Sequence, residues 1–252
     1  MMIRLENVSK WYLNDGKRSE PVLYDLSLTI PDRQFACILG PSGCGKTTLL
    51  DLVAGFITPS RGHLFFDDAL IEGPGPERGV VFQDANLFPW LTVRKNVEFA
   101  LRLRGVNHSA MRDTAGKYLD LVGMASYEDA FPHTLSGGMR QRTAISRVLA
   151  LEPRALLMDE PFSSLDANAR EHLQDELLKI WQHRQRTLIY ITHSVEEAAY
   201  LADRVIVMGP SPQNIRMDML VQSVRPRKRS SEEMRNITRE LRAALDSLPC
   251  CV

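Results

Sequence analysis

"FACILGPSGCGKTTLLDLVAG", residues 35–55, decides the fold. Its first five residues, Phe35 to Leu39, are apolar without alternation, as a strand buried on both faces requires. Gly40 to Thr47 then spell G-x-x-x-x-G-K-[ST], and "TTLLDLVAG" reads as the start of a helix. Strand, glycine-rich loop and helix in that order predict a P-loop. Gly43 and Gly45 let the backbone curl so that successive N–H groups converge on a phosphate. Lys46 is placed to reach β- and γ-phosphates, and the Thr47 hydroxyl to hold Mg²⁺. The candidate nucleotide cradle is therefore Gly40, Pro41, Ser42, Gly43, Cys44, Gly45, Lys46, Thr47 and Thr48.

A P-loop needs a metal-side carboxylate at the end of another buried strand, and "RALLMDEP" supplies one. Asp159 can bind Mg²⁺ through water, and Glu160 can take a proton from an attacking water as general base. Two more polar residues end strand-type runs: Gln83 after "GVVF" and His193 after "LIYIT". Each is a candidate to touch the γ-phosphate, Mg²⁺ or the attacking water, since α/β folds place ligands at strand tips. A second cradle lies in "HTLSGGMRQR", His133 to Arg142. There Ser136, Gly137 and Gly138 open a helix, whose free N–H groups and positive dipole end suit phosphate.

Outside these motifs the pattern changes along the chain. "IRLENV" and "LYDLSLTI" alternate as half-buried antiparallel strands do. Val93, Val97, Ala100 and Leu101, then Tyr118, Leu119 and Val122, fall at helical spacing, with Thr92 and Ser109 as expected N-caps. Strand runs return at "ALLM", "LIYIT" and "RVIVM". Between the first two, Leu173, Leu177, Ile180 and Trp181 mark one helix face. The fold class predicted is α/β: a P-loop NTPase core with a parallel sheet, an N-terminal antiparallel β-subdomain and an inserted α-helical subdomain. Residues 1–230 are expected to form one domain, with the helical insert at about 84–150. Residues 231–252 form a tail whose helix is opened by Ser231 with Glu232 and Glu233.

The 252 residues carry 31 Lys plus Arg against 31 Asp plus Glu, a net charge of zero that argues against nucleic acid as a partner. The one basic run, "RPRKR" at Arg225 to Arg229, reads as a solvated face. Cys37, Cys44, Cys250 and Cys251 match no zinc spacing and read as reduced thiols. No secretory leader is expected, and no apolar run approaches the roughly 20 residues needed to span a bilayer. Any membrane contact is then made through a partner.

Together these segments resemble the ATPase subunit of an ABC transporter, from "VSKWY" to "DRVIVM". In family order the chain has a Walker A loop (Gly40 to Thr47), a Q-loop glutamine (Gln83) and an LSGG signature (Leu135 to Gly138). A Walker B strand with its glutamate (Asp159, Glu160), a D-loop "SSLD" (Ser163 to Asp166) and a switch histidine (His193) follow. The resemblance implies a homodimer stacked head to tail, with each MgATP between one P-loop and the other copy's signature. Ser136, Gly137 and Gly138 would then serve the partner's ATP. Catalysis would rest on Glu160, His193, Lys46 and Gln83, and Mg²⁺ on Thr47, Gln83 and Asp159. The family's adenine-stacking aromatic would be Trp11 or Tyr12, with Tyr12 favoured by placement. Where the family usually has Gln after the two glycines, this chain has Met139, which cannot donate a hydrogen bond. Cys44, inside the loop, is expected to react with alkylating agents and to be protected by ATP.

"GPGPERGVVFQDANLFPWLTVRKNVEFALRLRGV", "PFSSLDANAR" and "RPRKRSS" are similar to the subgroup that imports nitrate, taurine and aliphatic sulfonates. That implies integral membrane permease subunits as partners and, indirectly, a periplasmic or lipid-anchored solute-binding protein. It places the chain peripherally on the cytoplasmic face of the inner membrane, with Leu87, Phe88, Pro89 and Trp90 forming a groove for a permease helix. The tail is expected to be too short for the β-rich regulatory domain of some sugar importers. Other readings are a soluble ABC ATPase outside transport, and an exporter or lipoprotein-release ATPase.

Overall fold

A computed structural model describes residues 3–14, 17–184 and 186–248. The chain begins with β1 (Ile3–Lys10), β2 (Leu13–Asn14), β3 (Lys17–Arg18), β4 (Leu23–Ile30) and β5 (Phe35–Leu39). Helix α1 (Lys46–Ala54), then β6 (Arg61–Phe66), β7 (Ala69–Leu70) and β8 (Arg78–Val81) come next. Helices α2 (Val93–Leu103), α3 (His108–Leu121) and α4 (Gly137–Ala150) precede β9 (Ala155–Asp159) and α5 (Ala167–Arg184). The chain closes with β10 (Thr187–Thr192), α6 (Val195–Leu201), β11 (Arg204–Met208), β12 (Ile215–Leu220) and α7 (Glu232–Asp246). Two compact units result: Met1–Gly75 with Arg186–Val252, and Pro76–Gln185.

In the first unit, β4, β1, β6 and β7 form an antiparallel sheet in that order. The alternation of "IRLENV" holds only as far as Leu5. A bulge between Leu5 and Val8, with Asn7 at φ 49°, shifts the phase so that Val8 is buried as well. A second sheet in this unit places β5 between β10 and β11, both parallel to it, with β12 as an antiparallel edge. Every residue of β5 and β10 is buried, which explains the unbroken apolar run of β5 and the apolar centre of β10, Leu188 to Ile191. Burying Phe35, Ile38 or Leu39 stabilises by about 1.5–3 kcal/mol each. Tail helix α7 starts where expected, Ser231 accepting the Met234 N–H at 3.2 Å, and packs on α6 and β11. The expectation of a solvated "RPRKR" holds for Pro226, Lys228 and Arg229, which are exposed, and is corrected at Arg227, which is only 6% exposed. Its guanidinium meets backbone carbonyls that no charge pattern discloses.

In the second unit β8 runs parallel to β9, pairing Val81 with Met158. Helix α2 packs on α3 and α4, and α4 on β8. Val93, Val97, Ala100, Leu101, Tyr118, Leu119 and Val122 are all buried, as their spacing predicts. Thr92 caps α2 by accepting the Lys95 N–H. The cap of α3 is Asn107, not Ser109: the Asn107 side-chain oxygen accepts the Ser109 N–H at 3.3 Å. Ser109 is thus a first-turn donor that needs a partner rather than the residue that provides one. Among the described residues no helix is long and apolar enough to cross a membrane.

Candidate nucleotide-binding site

In the first unit the P-loop leaves β5 and turns into α1 through Gly43 (φ 82°) and Gly45 (φ 97°). Both angles are in the left-handed region that glycine reaches without strain. Gly45 is the N-cap of α1 and offers no side chain to its first-turn N–H groups, which leaves the positive end of the helix to an anion. A Cβ added at Gly43 would meet nothing within 4 Å, so the loop is open on that side. Lys46 folds back over the loop, donating to the carbonyls of Gly40 (2.8 Å) and Pro41 (2.7 Å). A buried ammonium beside backbone donors is a set suited to a polyphosphate. Thr47 is exposed and Thr48 half-buried on the first turn of α1, with Ser42 exposed in the loop.

Tyr12 reaches the same place from the end of β1. Its phenol oxygen is 3.3 Å from Thr48 Oγ1, and its ring is 41% exposed. His193 follows Thr192, which pairs with Leu39, so β10 delivers the imidazole to the strand end from which Gly40 leaves β5. The expected reactivity of Cys44 is corrected. The residue is 0% exposed, because the turn directs its sulfur beneath the loop, 4.0 Å from the Lys46 ammonium.

In the second unit the parallel pair β8 and β9 sends Gln83 and Asp159 off the same end of the ladder. Asp159 is buried and Gln83 exposed. Glu160 has φ 43°, a left-handed backbone that costs a non-glycine residue about 1–2 kcal/mol. The Ser163 N–H and hydroxyl both donate to its carbonyl, at 3.1 and 3.0 Å, and hold the turn. Ser136 is the N-cap of α4: its oxygen accepts the Met139 N–H at 3.3 Å, with Gly137 and Gly138 half-buried behind it.

Three polar residues that pattern reading passed over organise this second cluster. Gln141, buried on α4, donates to the Phe82 carbonyl at 2.9 Å, next to Gln83. Arg147, also on α4, donates to the carbonyls of Asn86 (2.9 Å) and Ala85 (3.3 Å) and lies 5.4 Å from the Phe88 ring centroid. Asn96 is buried on α2, accepts the Phe88 N–H and donates to the Phe88, Leu91 and Thr92 carbonyls. The one available signal was a polar side chain on an otherwise apolar helix face. Segment 88–92 is thereby fixed while Trp90 stands 71% exposed.

Residues 23–163 match the family described as ABC transporter. The chain is 46% identical over 231 residues to an uncharacterized ABC transporter ATP-binding protein of Methanocaldococcus jannaschii, covering 92% of this chain and 86% of that protein. It is 50% identical over 205 residues to the taurine import ATP-binding protein TauB of Yersinia pestis, covering 81% and 79%. Against the nitrate import ATP-binding protein NrtD of Synechocystis sp. the identity is 47% over 207 residues, covering 82% and 78%. Among solved structures, a dimeric post-hydrolysis state of the ATP-binding cassette MJ0796 bound to ADP and Pi superposes with a TM-score of 0.80. There the identity is 27%, over 88% of this chain and 100% of that one.

Proposed function

Because this chain belongs to the ABC transporter family and is an ATPase, we propose that it powers a bacterial-type importer of a small oxyanion. Taurine, another sulfonate or nitrate is the solute class that its relatives' names support. Two copies stack head to tail and enclose two ATP molecules. Each copy binds one through its own P-loop and closes on the other through Ser136, Gly137 and Gly138. The observation that carries this reading is the presence of two phosphate-type cradles in one chain, on α1 and at the N-terminus of α4. The likeness to a dimeric cassette supports it further.

Hydrolysis is in-line attack of water on the γ-phosphate. Glu160 takes the proton of that water, and Lys46 and His193 meet the charge that develops on the phosphate oxygens. Gln83 orients the water from the tip of β8. The Thr47 hydroxyl and the Asp159 carboxylate are hard oxygen donors that fit Mg²⁺, which when bound neutralises charge on the phosphates. Adenine stacks on Tyr12. Residues 1–230 act as one cassette, and 231–252 as a tail packed on it.

Membrane attachment comes from Leu87, Phe88, Pro89 and Trp90, which offer an aromatic anchor to a helix of the permease. A solute-binding protein delivers the cargo to that permease, and the ATPase works at the cytoplasmic membrane face. The test is co-purification of the tagged chain from membranes in mild detergent. A polytopic membrane protein in stoichiometric amount is the expected result. Recovery with ribosomes or nucleic acid alone would overturn the transport reading and leave the ATPase without this purpose.

A further inference from the structure

Helix α6, directly behind His193, has only seven residues, too few to be stable by itself. It is held at both ends by side chains the ATPase chemistry does not use. At its start Glu197, although buried, accepts the Thr192 hydroxyl at 2.6 Å and the Tyr190 hydroxyl at 3.0 Å. The Ser194 N–H donates to Thr192 Oγ1 at 3.0 Å, and the Glu197 N–H to Ser194 Oγ at 3.2 Å. The residues on either side of His193 are therefore tied into one network with Glu197, while His193 itself is exposed.

The far end of α6 presents carbonyls that an α-helix leaves without internal partners. Arg227 Nη1 donates to the Ala199 and Tyr200 carbonyls, each at 2.9 Å, while its Nε and Nη2 both donate to Ser223 O at 3.3 Å. Arg225 donates to the Leu201 carbonyl, and the Arg229 guanidinium lies 3.5 Å from the Tyr200 ring centroid. Arg242 of α7 pairs with Glu196 on the flank. A glycine after the helix would satisfy such carbonyls locally. A buried guanidinium instead ties the position of α6 to residues 223–229. Burial and the neighbouring Arg225 push the Arg227 pKa down to about 10, which still leaves it charged at neutral pH.

We propose that Arg227 and Glu197 are positioning residues for His193, clamping α6 from opposite ends so that the imidazole stays at the strand end where it meets the γ-phosphate. This rests on the role given to His193 above. Arg225 and Arg227 of the "RPRKR" run then brace the switch from inside, while Lys228 and Arg229 are exposed.

The test is a double-mutant cycle on the full chain, measuring kcat, KM, ATP affinity and amide hydrogen exchange. Arg227→Ala is expected to lower kcat about tenfold with ATP affinity changed less than about twofold. In a His193→Ala background the same substitution should cost less than about twofold. Glu197→Gln should behave like Arg227→Ala, and both should speed exchange across residues 193–201 while leaving the P-loop amides as they were. If Arg227→Ala fails to fold, Arg227→Lys, which keeps the charge and part of the donor set, is read in the same cycle. Equal losses with and without His193, or unchanged exchange in α6, would overturn the proposal. A His193→Ala protein with wild-type kcat would remove the role of His193 itself, a separate failure seen before Arg227 is touched.

Discussion

The phenol oxygen of Tyr12 lies 3.3 Å from the Thr48 hydroxyl, tying the aromatic after β1 to the first turn behind the P-loop. A half-exposed ring so placed offers a face to a purine. Tyr12→Ala is expected to weaken ATP binding by about 1–3 kcal/mol, the range of base–aromatic stacking. Tyr12→Phe keeps the face, loses one exposed hydrogen bond and should cost less than about 1 kcal/mol. Titration calorimetry with ATP separates the two. Equal affinity for Tyr12→Ala and wild type would assign the adenine elsewhere.

Two P-loop glycines are there for different reasons. A Cβ at Gly40 would stand 2.4 Å from the Met208 carbonyl oxygen, a backbone atom of β11 that has no freedom to yield. At Gly43 there is no neighbour within 4 Å and only the positive φ opposes a side chain. Gly40→Ala should therefore lower the unfolding free energy by about 3 kcal/mol, and Gly43→Ala by about 1 kcal/mol. Urea unfolding of both variants checks the order, and the reverse order would contradict the packing described.

Cys44 and Cys37 are both fully buried, and burial, with Glu197 adding to it, raises the Cys37 pKa well above the ordinary thiol value. A thiolate is the species that reacts. Iodoacetamide should leave both residues unmodified in the native chain and label both after unfolding, with ATP making no difference. Rapid native labelling of Cys44 that ATP suppresses would restore the expectation drawn from sequence.

Phe88 is packed against Phe99 with centroids 4.8 Å apart, and Trp90 is 5.6 Å from Phe88. Replacing Phe88 and Trp90 together by Ala removes the aromatic anchor while Asn96 still holds the loop backbone. Membrane association in detergent pull-downs should fall at least about tenfold, with ATP affinity unchanged. Retained association would remove this patch from the interface.

The features legible in the sequence are those whose chemistry is local. The P-loop declares itself through contiguous glycines and a buried strand, and the α2 face through four apolar residues at helical spacing. Ser231 opens α7 for the same reason. What the sequence hid depends on partners distant along the chain, or on backbone turns that residue types do not show. Arg227 reads as one charge in a basic run, yet its acceptors are carbonyls of Ala199 and Tyr200. Asn96 reads as a polar residue in a helix, yet it fixes a loop five to eight residues before it. Cys44 reads as a loop thiol, and only the turn of the loop shows that its sulfur faces inward. Asn7 conceals a bulge, because a single positive φ shifts the phase of β1 without changing the residue types around it.

The central claim is that ATP joins two copies of this chain through the Ser136–Gly138 cradle. Glu160→Gln removes the proposed base while keeping the shape of the site, so bound ATP should persist. Analytical ultracentrifugation of that variant measures the claim directly. A monomer without nucleotide that becomes a dimer with MgATP, and stays monomeric when Ser136→Arg is added, is the expected result. A Glu160→Gln chain that binds ATP and remains a monomer at every concentration would contradict it.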